Sequence, residues 1–157
     1  SDLPEWGVPL AYSSGTDERF YIPQNVYLLG LMNTADRSLA VVDYALRRRF
    51  AFVPLKPEYA TDKFRRHLED AGVNVSLVSR IIQNMITLNE AIAQDRANLG
   101  PGYCVGHSFF SDVPRESAPD ERWYRDVVET EIAPLLREYW FDNAKEAERW
   151  IERLLKS

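Results

Sequence analysis

The sequence predicts an α/β segment followed by an all-helical region. Residues 26–32, VYLLGLM, are almost continuously apolar, as expected of a strand that is buried on both faces of a parallel sheet. Pro54 and Pro57 bracket a rigid break in the chain. Beyond this break, apolar residues recur at spacings of three and four, which is typical of packed helices. We therefore expect residues 1–55 to belong to an α/β core and residues 56–157 to form a helical domain.

The residues before the apolar strand predict a hairpin. Val8, Leu10 and Tyr12 occupy alternate positions, and the polar residues 13–16 favour a turn. The second arm of the hairpin is expected at residues 19–22, and a short polar link then leads to the strand.

A polar segment, a short helix and three arginines follow the strand. The carboxyl end of a strand is where ligands bind in open α/β sheets, so the segment NTADRS at residues 33–38 is a candidate ligand-binding segment. An amphipathic helix is expected at about residues 39–46, and a second strand at residues 50–53. Arg47, Arg48 and Arg49 lie between them. Guanidinium groups are permanently charged and bond phosphate oxygens in pairs, so this cluster is a candidate phosphate-binding site.

Two helices are predicted directly after the proline break. Thr61 or Asp62 is expected to cap the first helix, and Gly72 to end it. Asn74 or Ser76 is expected to begin a longer helix, which reaches about residue 95.

The remainder of the chain predicts a loop and further helices. Residues 99–110 contain three glycines and several aromatic residues, which favours a tight loop with short extended pieces. A helix is expected to start near Ser117, with Pro119 in its first turn, and to be kinked or restarted at Pro134. Asn143 is expected to cap the last helix.

Composition excludes several functional classes. The net charge of −5 argues against a general nucleic-acid-binding surface, and 45% hydrophobic residues suffice for a packed core. A membrane helix needs about 18 consecutive apolar residues, and the sequence has no such run and no signal-peptide pattern. A cytoplasmic location is expected by default. Cys104, His67 and His107 are the only cysteine and histidines, so no internal disulfide or metal cluster is expected apart from a nucleotide-bound magnesium ion.

The segment MNTADRS followed by LAVVDYALRRRF resembles the sensor-I and arginine-finger segment of AAA+ NTPases, and more narrowly those of the McrB type. McrB-type proteins are the GTP-hydrolysing motor subunits of methylcytosine-specific restriction endonucleases. The similarity continues through FYIPQNVYLLGL, GHSFF and EIAPLLREYWFD, so it covers most of the chain. It implies the C-terminal part of an AAA+ P-loop core, with the last strands and the sensor-I helix, followed by an all-helical lid subdomain.

The resemblance assigns roles to the polar segment after the first strand. Asn33 is implied to be the sensor-I residue, whose amide orients the attacking water or contacts the γ-phosphate. Asp36 and Arg37 either form an ion pair that fixes the sensor loop or engage the nucleotide of the neighbouring subunit. The residues alone leave open that Asn33 is only a turn residue that bonds backbone.

Arg48 and Arg49 are implied to be arginine fingers that act on the nucleotide of a neighbouring subunit, with Asp43 one helical turn away to orient them. The residues alone also fit a basic helix end that faces solvent and complements the helix dipole. Arg47 fits that second role better.

The resemblance also places Gly106-His107-Ser108 where AAA+ lids carry their sensor-II group. Most AAA+ lids have an arginine there, and this sequence does not. His107 and Ser108 either contact the nucleotide or belong to an aromatic loop in which a buried histidine is hydrogen-bonded. His67 is expected at the surface, and Cys104 is expected to be a small core residue.

The resemblance implies a longer parent protein with the full activity. The sequence contains neither a G-x-x-x-x-G-K-[ST] phosphate loop nor an apolar strand that ends in Asp-Glu, so we expect a C-terminal part that does not hydrolyse nucleotide by itself. The intact subunit would bind GTP, or ATP, with Mg²⁺ and assemble as a hexameric ring. It would drive a McrC-like nuclease subunit, and a separate upstream domain would contact DNA.

Two alternatives remain open from the sequence. The chain could be part of another AAA+ ATPase, such as a MoxR-like remodelling motor. It could also be a non-catalytic AAA+ assembly module.

Overall fold

The computed structural model describes residues 7–11, 19–33, 44–114 and 118–156. The chain divides into two units, residues 1–33 and residues 34–157. These units are sets of residues that contact one another, and their division after residue 33 is not a test of domain boundaries. The domain boundary expected between residues 55 and 56 stays a prediction.

The first unit contains a short antiparallel pair of strands. Strand β1 (Val8–Pro9) pairs with strand β2 (Arg19–Phe20), with Val8 opposite Phe20. The Nη1 of Arg19 also donates to the carbonyl of Gly7 at 3.5 Å. This pairing is the one expected of the two hairpin arms, and the turn between them lies outside the described residues.

The strand expected at residues 26–32 is not confirmed. Residues 27–33 are described without helix or strand, and Leu29 and Leu31 are 93% and 89% exposed. A strand that is buried on both faces needs hydrogen-bonding neighbours and covering layers on each side. Among the described residues the one sheet consists of β1 and β2, so no such neighbours are present in that part of the chain.

The second unit begins with the segment that bears the three arginines. Helix α1 (Tyr44–Arg47) lies at the end of the helix expected at residues 39–46, and residues 34–43 lie outside the described residues. The strand expected at residues 50–53 is also not confirmed, since these residues are described without strand structure and their side chains are exposed. An isolated strand has no ladder partner for its backbone groups, which is the same physical reason as before.

The rest of the second unit is helical, as predicted. Its α-helices are α2 (Asp62–Asp70), α3 (Val75–Gln94), α4 (Glu121–Val127), α5 (Ala133–Tyr139) and α6 (Ala144–Lys156). Short 3₁₀ turns lie at Pro101–Tyr103 and His107–Phe110. One apolar core joins these elements, and its largest fully buried side chains include Tyr59, Leu68, Ile81, Met85, Phe110 and Tyr124.

The caps of α2 and α3 agree with the sequence. Thr61 Oγ1 accepts a hydrogen bond from the Phe64 amide at 3.2 Å, and Asn74 Oδ1 accepts one from the Ser76 amide at 2.9 Å. Gly72 ends α2 with φ +88°, and the amides around it bond back into the last turn, as in a Schellman motif. The predictions for these two helices are confirmed.

The next helix begins later than expected. Its cap is Asp120, whose carboxylate accepts hydrogen bonds from the amides of Arg122 and Trp123, so Pro119 precedes the helix instead of lying in its first turn. The expectation of a start at residues 117–119 is therefore wrong by a few residues. The Asp120 carboxylate bonds two free amides at once, whereas the Pro119 side chain has no hydrogen-bond acceptor.

The interruption expected at Pro134 is present. A π-helical turn (Val128–Ile132) separates α4 from α5, and the Ala133 amide donates to the Val128 carbonyl, five residues earlier. Pro134 follows as the second residue of α5 and has no amide hydrogen to donate. The break in regular α-helical bonding thus lies next to the residue that cannot take part in it.

The last helix is capped as predicted. Asn143 Oδ1 accepts from the Glu146 amide at 3.3 Å. The inward face of α6 carries four buried residues, Ala147, Trp150, Ile151 and Leu154. In the described part of the chain, no helix is long and apolar enough to cross a membrane.

Candidate functional site

Asn33 is the last described residue of the first unit. It is exposed and lies in a segment without helix or strand. Asp36, Arg37 and Asp43, the other polar residues expected near the nucleotide, lie outside the described residues. Asn33 and the arginine cluster belong to different units.

The three arginines differ in their surroundings. A tight turn closes α1, since the amides of Arg49 and Phe50 donate to the Leu46 carbonyl at 2.9 and 3.1 Å. The guanidinium of Arg47 lies over the ring of Phe52, 6.0 Å from its centroid.

Arg48 and Arg49 are exposed beyond this turn. Within the described ranges, neither of these two side chains has an ion pair, a hydrogen bond or a ring contact. A permanent cation of this kind can bond an anion from another molecule without first breaking an internal contact. Of the three arginines, these two are thus the ones available to an external phosphate.

The Gly106-His107-Ser108 motif is fixed to the residues that follow the proline break. The Glu58 amide donates to His107 Nδ1 at 3.1 Å, and the Tyr59 hydroxyl donates to the Gly106 carbonyl at 2.6 Å. These bonds join residues that are 49 and 47 positions apart in the sequence. We call Glu58, Tyr59, Phe64, Gly106 and His107 the junction cluster.

Aromatic packing completes the junction cluster. The His107 ring meets the rings of Tyr59 and Phe64 edge to face, with centroid distances of 6.3 and 5.8 Å. Tyr59 is only 2% exposed, and this burial raises the pKa of its hydroxyl far above the ordinary tyrosine value. The hydroxyl therefore stays protonated and remains a donor to Gly106.

Further bonds hold the same loop to α2. The Ser111 hydroxyl donates to the His107 carbonyl at 2.8 Å, and the His67 Nε2 lies 2.8 Å from the Ser111 carbonyl. His67 is exposed, as predicted, but it also contributes this contact. Ser108 is exposed, so among the motif's side chains its hydroxyl is the most open to solvent.

The loop before the motif is bonded to the long helix. The side-chain amide of Asn89 donates to the Val105 carbonyl at 2.9 Å and accepts from the Val105 amide at 2.7 Å. Cys104 is half-buried beside it, with its Sγ 3.6 Å from the Asn89 carbonyl, and burial raises the pKa of this thiol. Cys104 is therefore a packing residue at the edge of the core, close to the expectation.

Sequence reasoning missed Glu58, Tyr59 and Asn89. Local patterns could find the cap at Thr61, but the contacts of these three residues join segments that are distant in sequence. Tyr59 lies two residues before the cap Thr61, one position earlier than the apolar residue of a hydrophobic staple, so no local pattern marks its contacts. No group of acidic, histidine and cysteine side chains that could hold a metal ion is found among the described residues.

Comparison with known proteins adds two findings. A family model described as the McrB alpha-helical lid domain matches residues 80–148. The chain is 48% identical, over 151 residues, to the type IV methyl-directed restriction enzyme EcoKMcrB subunit of Escherichia coli strain K12. The similar region covers 96% of this chain and 33% of that relative, so the chain spans about a third of the relative's length.

Proposed function

The chain belongs to the McrB type as a C-terminal part with the alpha-helical lid, and from this premise we propose that it supplies the sensor, arginine-finger and lid portion of an AAA+ motor in a restriction system. In this proposal residues 26–32 and 50–53 become strands of the AAA+ core when the upstream part of that core pairs with them. Their exposed apolar side chains support the proposal, because such side chains gain free energy when a sheet covers them.

The observation that carries the proposal is the contrast among the three arginines. All three arginines are exposed, but Arg47 lies over an aromatic ring, whereas no partner of the Arg48 and Arg49 side chains is found in the described ranges. Phosphoryl transfer spreads negative charge over the γ-phosphate oxygens, and a guanidinium supplied there is worth about 10³–10⁵ in rate. Arg48 and Arg49 are therefore proposed to act on the nucleotide of a neighbouring subunit.

The polar segment at residues 33–38, together with Asp43, is proposed to supply the remaining catalytic positions. Asn33 is proposed to orient the attacking water or to contact the γ-phosphate. Asp36 and Arg37 are proposed to order that segment or to engage the neighbouring nucleotide, and Asp43 to orient the fingers. The Asn33 amide can both donate and accept hydrogen bonds, and the Asp43 carboxylate can accept them from guanidinium groups. Asp36 and Arg37 carry opposite charges, so they can form an ion pair.

The proposed ligand is GTP with Mg²⁺, and ATP is the competing nucleotide. The exposed guanidinium groups fit the phosphate oxygens, and no ligand set for Mg²⁺ is found in the described part of this chain, so the upstream core would hold the ion. When bound, Mg²⁺ would neutralise charge on the β- and γ-phosphates. In the lid, Ser108 is proposed to lie on the nucleotide side of the Gly106-His107-Ser108 motif.

The proposed assembly is a hexameric ring that works with a McrC-like nuclease subunit. The similar protein of Escherichia coli is named as a subunit of a methyl-directed restriction enzyme, which supports a role in DNA restriction. The net charge of −5 favours a DNA contact in a separate upstream domain and not in this segment. A finger that acts across the subunit boundary would make hydrolysis depend on assembly.

The test is nucleotide turnover by the full-length protein that contains this chain, with GTP and ATP compared. Arg48→Ala or Arg49→Ala is expected to lower kcat by about 10³ or more, because the transition-state charge loses its guanidinium. Arg47→Ala is the matched control, since it removes the same charge from the adjacent position and is expected to change kcat little. Turnover per subunit is also expected to rise with protein concentration.

Three results would contradict the proposal. Unchanged turnover in both Arg48→Ala and Arg49→Ala would show that neither residue is an arginine finger. Preference for ATP would indicate a different AAA+ motor, such as a MoxR-like ATPase. Turnover with neither nucleotide would indicate a non-catalytic assembly module.

A further inference from the structure

We propose that His107 is a positioning residue that acts through Nδ1, and that it fixes its own loop to the first residues of the lid, after the proline break, instead of contacting the nucleotide. Its effect on turnover rests on the proposed function. Its structural role can be tested in this chain without nucleotide, so the two proposals can fail separately.

The hydrogen bond from the Glu58 amide to His107 lies at the start of the chain segment that follows Pro57. Proline has no amide hydrogen, so the Glu58 amide is the first backbone donor after Pro57. It donates to His107 Nδ1 at 3.1 Å. Thr61 then begins the cap of α2, and its amide and hydroxyl both donate to the Glu58 carbonyl, at 3.1 and 2.9 Å. Both backbone polar groups of Glu58 are thus bonded, one to the motif and one to the helix cap.

The His107 ring is held in the orientation that this bond needs. Tyr59 and Phe64 contact it edge to face, and the carbonyls on either side of its Cα are bonded to Tyr59 and Ser111. An imidazole nitrogen that accepts a hydrogen bond carries no proton, so the ring is the tautomer with its hydrogen on Nε2. Rotation of the ring toward a ligand would leave the Glu58 amide without this acceptor.

The other ring nitrogen defines the rival hypothesis. Nε2 has no hydrogen-bond partner among the described residues, so a direct contact between Nε2 and a phosphate is the alternative. The two nitrogens can be separated by substitution. Asparagine places a carbonyl oxygen near the position of Nδ1, and glutamine places an amide near the position of Nε2. His107→Asn therefore tests the positioning role, and His107→Gln tests the ligand role.

The first measurement uses this chain with no nucleotide. Long-range ¹H–¹⁵N NMR spectra of the wild type are expected to show an unprotonated Nδ1 and a protonated Nε2 in His107. His107→Gln is expected to shift the Glu58 amide resonance and to raise the unfolding constant about five- to tenfold, the loss of one hydrogen bond. His107→Asn is expected to keep the Glu58 resonance and the unfolding constant closer to the wild type.

His67 provides a control, because it makes its hydrogen bond through the other ring nitrogen. It reaches the Ser111 carbonyl through Nε2, so His67→Gln should preserve the wild-type behaviour better than His67→Asn. At His107 asparagine is expected to preserve stability better than glutamine, and at His67 the order is expected to be reversed. Both histidines hold the same loop.

The second measurement is turnover by the full-length protein. His107→Asn is expected to retain kcat, and His107→Gln is expected to lose kcat more than it raises KM. A protonated Nδ1 in the wild-type spectrum, or better function of His107→Gln than of His107→Asn with a raised KM in the latter, would overturn the proposal. If no variant of the full-length protein turns over nucleotide, the proposed function fails, and the NMR result still decides the role of Nδ1.

Discussion

Tyr59→Phe is the substitution that tests the junction cluster most directly. The Tyr59 hydroxyl donates to the Gly106 carbonyl at 2.6 Å, and the ring is 2% exposed. Phenylalanine keeps the ring contacts with Phe64 and His107 and removes only the hydroxyl. Any change therefore reports on the hydrogen bond and not on packing.

The magnitude follows from the burial of the two partners. A net hydrogen bond contributes about 1 kcal/mol, and a buried acceptor left without its donor costs about 1–3 kcal/mol. Gly106 is half-buried, so water can replace part of the lost bond. We therefore expect Tyr59→Phe to lower the free energy of unfolding by about 1–2 kcal/mol. With a urea dependence of about 2 kcal/mol per molar, within the usual range for small proteins, the midpoint falls by about 0.5–1 M.

The assay is urea unfolding followed by circular dichroism, with Tyr139→Phe as the control. Tyr139 is half-buried against Tyr103, and among the described residues its hydroxyl makes no hydrogen bond. The control is expected to stay within about 0.5 kcal/mol of the wild type. Equal midpoints for Tyr59→Phe and Tyr139→Phe would show that the bond to Gly106 contributes nothing.

Two further predictions concern pH. Because burial raises the pKa of Tyr59 in the folded state, its contribution to stability is complete below the unfolded pKa of about 10 and is lost as the pH rises above it. The difference in urea midpoint between the wild type and Tyr59→Phe should therefore narrow between pH 8 and about 10.5, and a constant difference would contradict this. At Asp95 the Trp140 indole, which donates to Oδ2 at 3.1 Å, lowers the carboxyl pKa most, and Asn98 adds to this against an opposing desolvation. The stability that the carboxylate confers is present above about pH 4 and lost as the pH falls through the lowered pKa. Asp95→Asn should thus melt below the wild type at pH 7 and approach it in acid, and a gap that widens in acid would be the opposite result.

The helices could be predicted because their signals are local. Thr61, Asn74 and Asn143 are short polar residues directly before apolar periodic runs, and their side chains accept hydrogen bonds from the first-turn amides. Gly72 takes the positive φ that ends α2. Each of these contacts spans only a few residues, so the sequence contains all the participants.

The strands and the junction cluster depend on distant partners. Residues 26–32 have the composition of a buried strand, but a strand forms only where neighbours satisfy its backbone. The bond between Glu58 and His107 joins positions 49 residues apart, which no local pattern records. The motif at residues 106–108 could be noticed in the sequence, whereas the surface that it binds could not.

The π-helical turn at Val128–Ile132 also determines the register of the helical residues that follow it. Five buried residues of this helical stretch recur at every fourth position, with Val127 and Ala133 buried beside them, and the five are Tyr124, Val128, Ile132, Leu136 and Trp140. A regular α-helix turns about 100° per residue, so a strict repeat of four would drift about 40° at each step and leave the core after a few turns. The wider turn takes up one additional residue and offsets most of this drift.

The register of the last two helices is therefore tied to one extra residue in the middle of the stretch. Removal of a single residue between positions 128 and 132 would allow ordinary α-helical bonding and keep the register beyond it. Ordinary α-helical bonding with all five residues kept would instead rotate everything beyond them by about 100°. Leu136 and Trp140, now 0% and 3% exposed, would leave the core together. The π-helical turn thus keeps the buried residues on both sides of it on one face of the helical stretch.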